Sequence, residues 1–317
     1  MPELPFFPFV LWIYRLPYDS RLRSIAQFIR KLRKNFFNRG IMENINLKDI
    51  IADSGFRFNK SLGQNFISDK NLLDAIVADS GVTGDDVVVE IGTGGGTLTR
   101  AIAAVAKRVV SFEVDENLQS VLALSLKGVD NAEVVFRDVM KMSDDAIRRF
   151  VDGKFKVVAN LPYYITTPLV MRFLESGLDV ESLTVMVQQE VADRFVAKPN
   201  TPDYAAITLA IRMCGEAVVT RRVNRNMFYP VPNVDSAVVR IDVDRKKLEN
   251  ENLPLIRKLV RSAFAMRRKT LANNLSAAFG IDKQTAADRL KAAGFEPMVR
   301  GEVLSLDDYI RLSYQFR

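Results

Sequence analysis

The chain has 317 residues, 48% of them hydrophobic, and a formal net charge of +7, enough for one large domain or one large and one small. It holds no histidine and a single cysteine, Cys214, which excludes histidine general-base catalysis, histidine metal sites, cysteine zinc sites and an internal disulfide framework. Residues 1–41 carry eight Lys/Arg against two Asp/Glu, residues 243–317 carry fifteen against nine, and the stretch between them is net −5; basic ends suit polyanions and the acidic centre suits a cationic or neutral ligand.

The apolar run Phe6 to Tyr14 is too short to span a membrane, contains Pro8 and follows no basic region, so it is a poor secretory signal. In SRLRSIAQFIRKLRKNFF, Leu22, Ile25, Ile29, Leu32 and Phe36 recur in steps of three and four among arginines and lysines, which predicts a basic amphipathic helix. Residues 1–41 are therefore an extension of open role. It is read as lying on a membrane or RNA, as a targeting segment, or as a translated upstream stretch with Met42 as the natural start.

From Asn46 helix and strand alternate. NLLDAIVAD (71–79) reads as a helix and DVVVEI (86–91) as a strand buried on both faces. GTGGGTLTRAIAAVA is a glycine loop entering a helix. RVVSFEV (108–114), AEVVF (132–136), 155–159 and 183–187 are further strands, with helical segments between them. This order predicts a parallel, doubly wound α/β sheet. Segments 217–223 and 236–243 read as a final hairpin. Beyond Val243 only helical spacing remains. The expected division is 42–242 as a Rossmann-like domain and 243–317 as a small helical domain, with Arg257, Lys258, Arg261, Arg267, Arg268 and Lys269 on basic faces suited to RNA phosphates.

EIGTGGGTLT places Gly92, Gly94 and Gly96 just after the first strand. A dinucleotide fingerprint wants a third glycine at position 97, where Thr97 stands; the G-x-G-x-G spacing favours S-adenosylmethionine (SAM). Glu113, at the end of the second strand, is suited to accept from ribose hydroxyls, and Asp138, past the third, from an adenine amino group. The fourth strand ends in Asn160-Leu161-Pro162-Tyr163, an N-x-P-[YF] pattern. The Asn160 side-chain carbonyl and the backbone carbonyl of Leu161 or Pro162 can accept both hydrogens of an aromatic amine and aim its lone pair at a methyl group. Pro162 fixes the backbone, and Tyr163 offers a face for an extruded base. Phe228 is the candidate for the opposite face.

SLGQNFISD (61–69), EIGTGGGTLT, FEVDENL, NLPYYITTP, VQQEVADR (187–194), FYPVPNVDSAVVR (228–240) and AFAMRRKTLANNL (263–275) together resemble the ribosomal RNA adenine N6-dimethyltransferase family, in its small-subunit branch. The resemblance implies SAM-dependent dimethylation of two adjacent adenosines in a hairpin near the 3′ end of 16S-type rRNA. It also implies Asn65 and Ile67 as cofactor contacts, and a cytoplasmic monomer that acts on rRNA or an assembling subunit and needs neither metal nor membrane. Three alternatives stand beside it: a large-subunit rRNA dimethyltransferase of the antibiotic-resistance type, a non-catalytic ribosome-assembly factor, and a DNA N6-adenine methyltransferase. Glu190 and Arg194, one helical turn apart, are expected to be a structural pair.

Overall fold

The computed structural model describes residues 47–54, 56 and 63–317; the basic extension and Met42 lie outside the described residues. The described elements in chain order are α1 (Leu47–Ser54), β1 (Phe66–Ile67), α2 (Lys70–Ser80), β2 (Val87–Ile91), α3 (Thr97–Ala103), β3 (Arg108–Glu113), α4 (Gln119–Ser125), β4 (Ala132–Phe136), α5 (Asp144–Arg148), β5 (Phe155–Asn160), α6 (Thr166–Leu174), β6 (Val180–Gln188), α7 (Gln189–Val196), α8 (Ala206–Arg212), β7 (Gly215–Val223), β8 (Phe228–Tyr229), β9 (Ser236–Val243), α9 (Arg245–Leu248), α10 (Leu253–Ala265), α11 (Leu271–Phe279), α12 (Lys283–Ala292) and α13 (Leu306–Ser313).

Seven strands form one sheet in the order β4-β3-β2-β5-β6-β9-β7. Neighbours from β4 to β6 are parallel; β9 is antiparallel to β6, and β7 to β9. This is the doubly wound, Rossmann-like sheet that the alternation predicts. The β-branched runs account for it. Val88, Val109 and Val158 are fully buried against α2 and α3 on one face, while Val89, Val110 and Val157 are fully buried on the other. Strand periodicity sends successive side chains into separate layers. α2 has the end signals of a helix: the Asp69 carboxylate accepts from Leu72 N at 2.8 Å, and the chain leaves through Gly81 at φ +63°.

The sheet reverses its winding at β2. β3 and β4 lie on one side of it and β5 on the other, so a crevice opens at the carboxyl ends of β2 and β5. The expected final hairpin is the pair β7 and β9, but β9 is the inner strand, and β8 lies between them in the chain. Two-residue β1 and β8 pair apart from the main sheet, Phe66 with Tyr229 and Ile67 with Phe228.

After Val243 the described chain is helical. The largest apolar cluster nevertheless runs unbroken from Val89 in the sheet to Phe316 near the end of the chain. Fully buried Tyr204 helps to join the two parts: its hydroxyl donates to Leu304 O at 2.9 Å and Phe264 meets its ring edge-on. The division expected at residue 243 is a change of secondary structure across which the core is continuous. Among the described residues no helix is long and apolar enough to cross a membrane, and no cluster of acidic or cysteine side chains is placed to hold a metal.

Candidate active site

The glycine loop lies at the winding reversal. Gly92, Gly94 and Gly96 have φ of +79°, +53° and +78°, values open to glycine at little cost. A side chain at Gly94 would come within 3.0 Å of the Phe66 ring. The loop is held by Gly92 N donating to Phe112 O at 2.8 Å and Gly94 N donating to Glu113 Oε2 at 2.9 Å. Beside it is a cavity of about 550 Å³, whose wall on the loop side includes Gly92, Gly94, Glu113 and Asp138. Asn65 and Ile67 close another side, and Asn160, Leu161, Pro162 and Tyr163 a third. Ten residues chosen from the sequence thus share one cavity.

Gly96 faces differently from Gly92 and Gly94. It is outside the cavity lining; a side chain there would come within 2.7 Å of Ser125 Oγ and 3.0 Å of Leu122, so this glycine serves the close packing of α3 on α4. Glu113 is buried, and its Oε1 accepts from Val114 N and Asp115 N at 2.8 and 2.9 Å. Burial pushes its carboxyl above the ordinary carboxylate range, against these backbone donors. Asp138 Oδ1 accepts from Met140 N at 3.0 Å, and Oδ2 pairs with Lys141 at 3.3 Å.

Sequence reasoning passed over Glu90. It is fully buried under the loop, and its Oε2 accepts from Thr99 Oγ1 at 2.5 Å and Ser111 Oγ at 2.7 Å. Ser111 in turn meets Thr93 of the loop at 2.6 Å. The available signal was an acid inside the β-branched run DVVVEI, where a solvated side chain is out of place.

The chemistry wall begins where β5 ends. Asn160 Nδ2 donates to Asn65 O at 2.9 Å, which orients the carboxamide and leaves Oδ1 as its acceptor. Pro162 has φ −57°, and its carbonyl accepts from Ile165 N at 3.2 Å and Thr166 Oγ1 at 3.3 Å. Of the two backbone carbonyls considered from the sequence, Pro162 O is thereby engaged at the start of α6, and Leu161 O is the better acceptor. The Tyr163 hydroxyl meets Ser236 Oγ at 2.8 Å, and burial pushes its phenol above the ordinary value. Tyr164 also lines the cavity and is 60% exposed.

Phe228 stands apart from these residues. Only 4% exposed, it lies outside the cavity lining and belongs to the apolar cluster with Ile67 and Leu72. Its strand pairing with Ile67 puts it behind the cavity wall.

The basic residues expected to dock RNA divide by environment. Arg257 is half-buried and pairs with Glu175 at 3.4 Å, so it acts within the fold. Lys258 is exposed, with Nζ 4.1 Å from the Phe279 ring centroid. Arg267 donates to Pro202 O at 3.2 Å, pairs with Glu302 at 3.6 Å, and lines a second cavity together with Arg194. Arg261, Arg268 and Lys269 are exposed, and no ion pair among the described residues involves them. Glu190 and Arg194 form the ion pair expected of them.

The profile of the family described as "Ribosomal RNA adenine dimethylase" matches residues 55–310. The protein named ribosomal RNA small subunit methyltransferase A of Clostridioides difficile (strain 630) is 41% identical over 269 residues, covering 84% of this chain and 93% of that protein. Its namesake in Enterococcus faecalis (strain ATCC 700802 / V583) is 44% identical over 275 residues, covering 84% and 92%. Among solved structures, a dimethyladenosine transferase from Plasmodium falciparum superposes with a TM-score of 0.66 at 25% identity, covering 78% of this chain and 95% of that one. The 23S rRNA methyltransferase ErmE gives 0.63 at 27% identity, covering 79% and 99%. With a family match across sheet, cavity and carboxy-terminal helices alike, the chain belongs to the ribosomal RNA adenine dimethylase family.

Proposed function

We propose that the protein dimethylates the N6 amino groups of two adjacent adenosines in a hairpin near the 3′ end of 16S-type small-subunit rRNA, with SAM as methyl donor. The small-subunit assignment follows the names of its relatives. The observation that carries the chemistry is the Asn160 carboxamide, whose nitrogen donates to the Asn65 carbonyl and which lines the cofactor cavity together with Leu161 and Tyr163.

The cavity's residues fit SAM. Backbone at Gly92 and Gly94 allows close approach, and Glu113 and Asp138 supply acceptors for ribose and adenine. Asn65 and Ile67 close the cavity on the other side. Bound there, SAM supplies an electrophilic methyl group on a sulfonium.

The chain's own residues do the rest. Asn160 Oδ1 and Leu161 O accept the two N6 hydrogens, which draws the nitrogen from planar toward tetrahedral and directs its lone pair. Tyr163 stacks on the extruded adenine. The proton released after transfer goes to water, so no histidine is required; positioning and electrostatics carry the rate. Arg261, Arg267, Arg268 and Lys269, with Lys258, hold RNA phosphates, while residues 243–317 act as the docking part of a monomer working in the cytoplasm on rRNA or an assembling small subunit.

Asn160→Ala is expected to lower methyl transfer at least a hundredfold, the scale of losing a transition-state hydrogen-bond partner, with RNA affinity within about twofold of the parent. Tritium incorporation from labelled SAM and filter binding of the same RNA check the two halves. Retained activity in this variant overturns the mechanism.

A further inference from the structure

Tyr163 and Ser236 are 73 positions apart in sequence, yet their hydroxyl oxygens stand 2.8 Å apart. Ser236 opens β9 and is fully buried, paired with Gln188 of β6 on one side and Val223 of β7 on the other. Its neighbour Asp235 adds two ties. The Asp235 carbonyl accepts from Gln189 N at 3.0 Å, and its carboxylate accepts from Arg225 N at 2.9 Å. The serine hydroxyl is thus a point fixed to the sheet.

Tyr163 is less well anchored by its own backbone. It stands on a single 3-10 turn, Tyr163–Ile165, and its half-buried ring lines the cavity. A side chain there has three staggered χ1 wells to choose from. A partner at the far end of the ring selects one of them. The hydroxyl lies on the ring's long axis, so the bond fixes where that axis points and leaves rotation about it to packing.

We propose that Ser236 is a positioning residue for methyl transfer, its hydroxyl holding Tyr163 in the rotamer that offers a ring face to the adenine. This rests on the stacking role given to Tyr163 above. It also explains what the FYPVPNVDS segment contributes although Phe228 is buried behind the wall: the segment ends in the anchor for the other aromatic.

The test is a double-substitution cycle, with undermethylated small ribosomal subunits and SAM as the probe. Ser236→Ala and Tyr163→Phe each remove one side of the same bond. Each is expected to lower kcat/KM by about three- to tenfold, the scale of one hydrogen bond, and the double variant no further than either alone. A second readout needs no turnover. In cofactor-free protein labelled with 3-fluorotyrosine, the fluorine resonance that vanishes in Tyr163→Phe should shift in Ser236→Ala. An unmoved resonance, or a Ser236→Ala loss that multiplies the Tyr163→Phe loss, overturns the proposal. Tyr163→Ala separates the underlying reading: full activity there sinks stacking itself, whereas an inactive Tyr163→Ala with a multiplying Ser236→Ala loss sinks only the role of Ser236. If Ser236→Ala does not fold, Tyr163→Phe alone decides, and full activity in that variant overturns the proposal.

Discussion

Glu90 is a carboxyl that the fold keeps away from water. One oxygen holds two hydroxyls, the other is buried with no hydrogen-bond partner among the described residues, and burial pushes the group up to about 8. The folded chain therefore keeps a proton that the unfolded chain, with an ordinary value of 4.5, releases. The contribution is fully present below about pH 4.5 and is lost as the pH climbs through about 8. Within that window this group alone lowers stability by on the order of 1.4 kcal/mol per pH unit. Glu90→Gln keeps an oxygen for Thr99 and Ser111 but does not titrate. Its urea-unfolding free energy should fall less steeply than the parent's between about pH 5 and pH 8; parallel profiles would show that Glu90 is ionised in the fold. The acid itself was visible in DVVVEI, but its partners come from α3 and β3 and are brought to it only by the sheet.

At the scale of elements, the glycine loop separates two roles that one spacing suggests. Gly92 and Gly94 border the cavity, whereas Gly96 lets α3 approach α4. Gly96→Ala must both hold φ near +78° and push aside Ser125 and Leu122, at a cost of about 2–4 kcal/mol. Gly128→Ala, at φ +75° with nothing within 4 Å of the added carbon, carries only the backbone part, about 1–2 kcal/mol. Denaturant titration of both variants isolates the packing part, and equal losses would mean that α4 yields freely. The long strands were legible because runs such as VVVEI exceed one period and carry β-branched side chains. β1 and β8 were not, because two residues give no period at all. That small ladder nevertheless follows directly on Asn65, whose carbonyl orients Asn160, and it carries Phe228 behind the wall.

For the whole molecule, the loss of strand signal after Val243 was legible, but the shared core was not. Helical spacing tells which face of α10 is apolar, not what that face packs against. Because the cluster runs from Val89 to Phe316, the full chain should unfold in one coincident transition by fluorescence and circular dichroism, and a chain ended after Val243 should lose cooperativity and bind a hydrophobic dye. Two separate transitions would argue for independent domains. The outward basic side chains make a different prediction. Arg268→Glu with Lys269→Glu should weaken RNA binding about tenfold or more near physiological salt and flatten the log-log salt dependence by about one to two units. An unchanged slope would remove both from the RNA contact. A core that passes without a break from the sheet to the last helix also gives the enzyme little freedom to close like a jaw around its substrate. The protein is then a rigid template, and the adaptation falls on the polynucleotide. Loop nucleotides that are already unstacked should be methylated fastest, and those locked in a duplex should wait for strand opening.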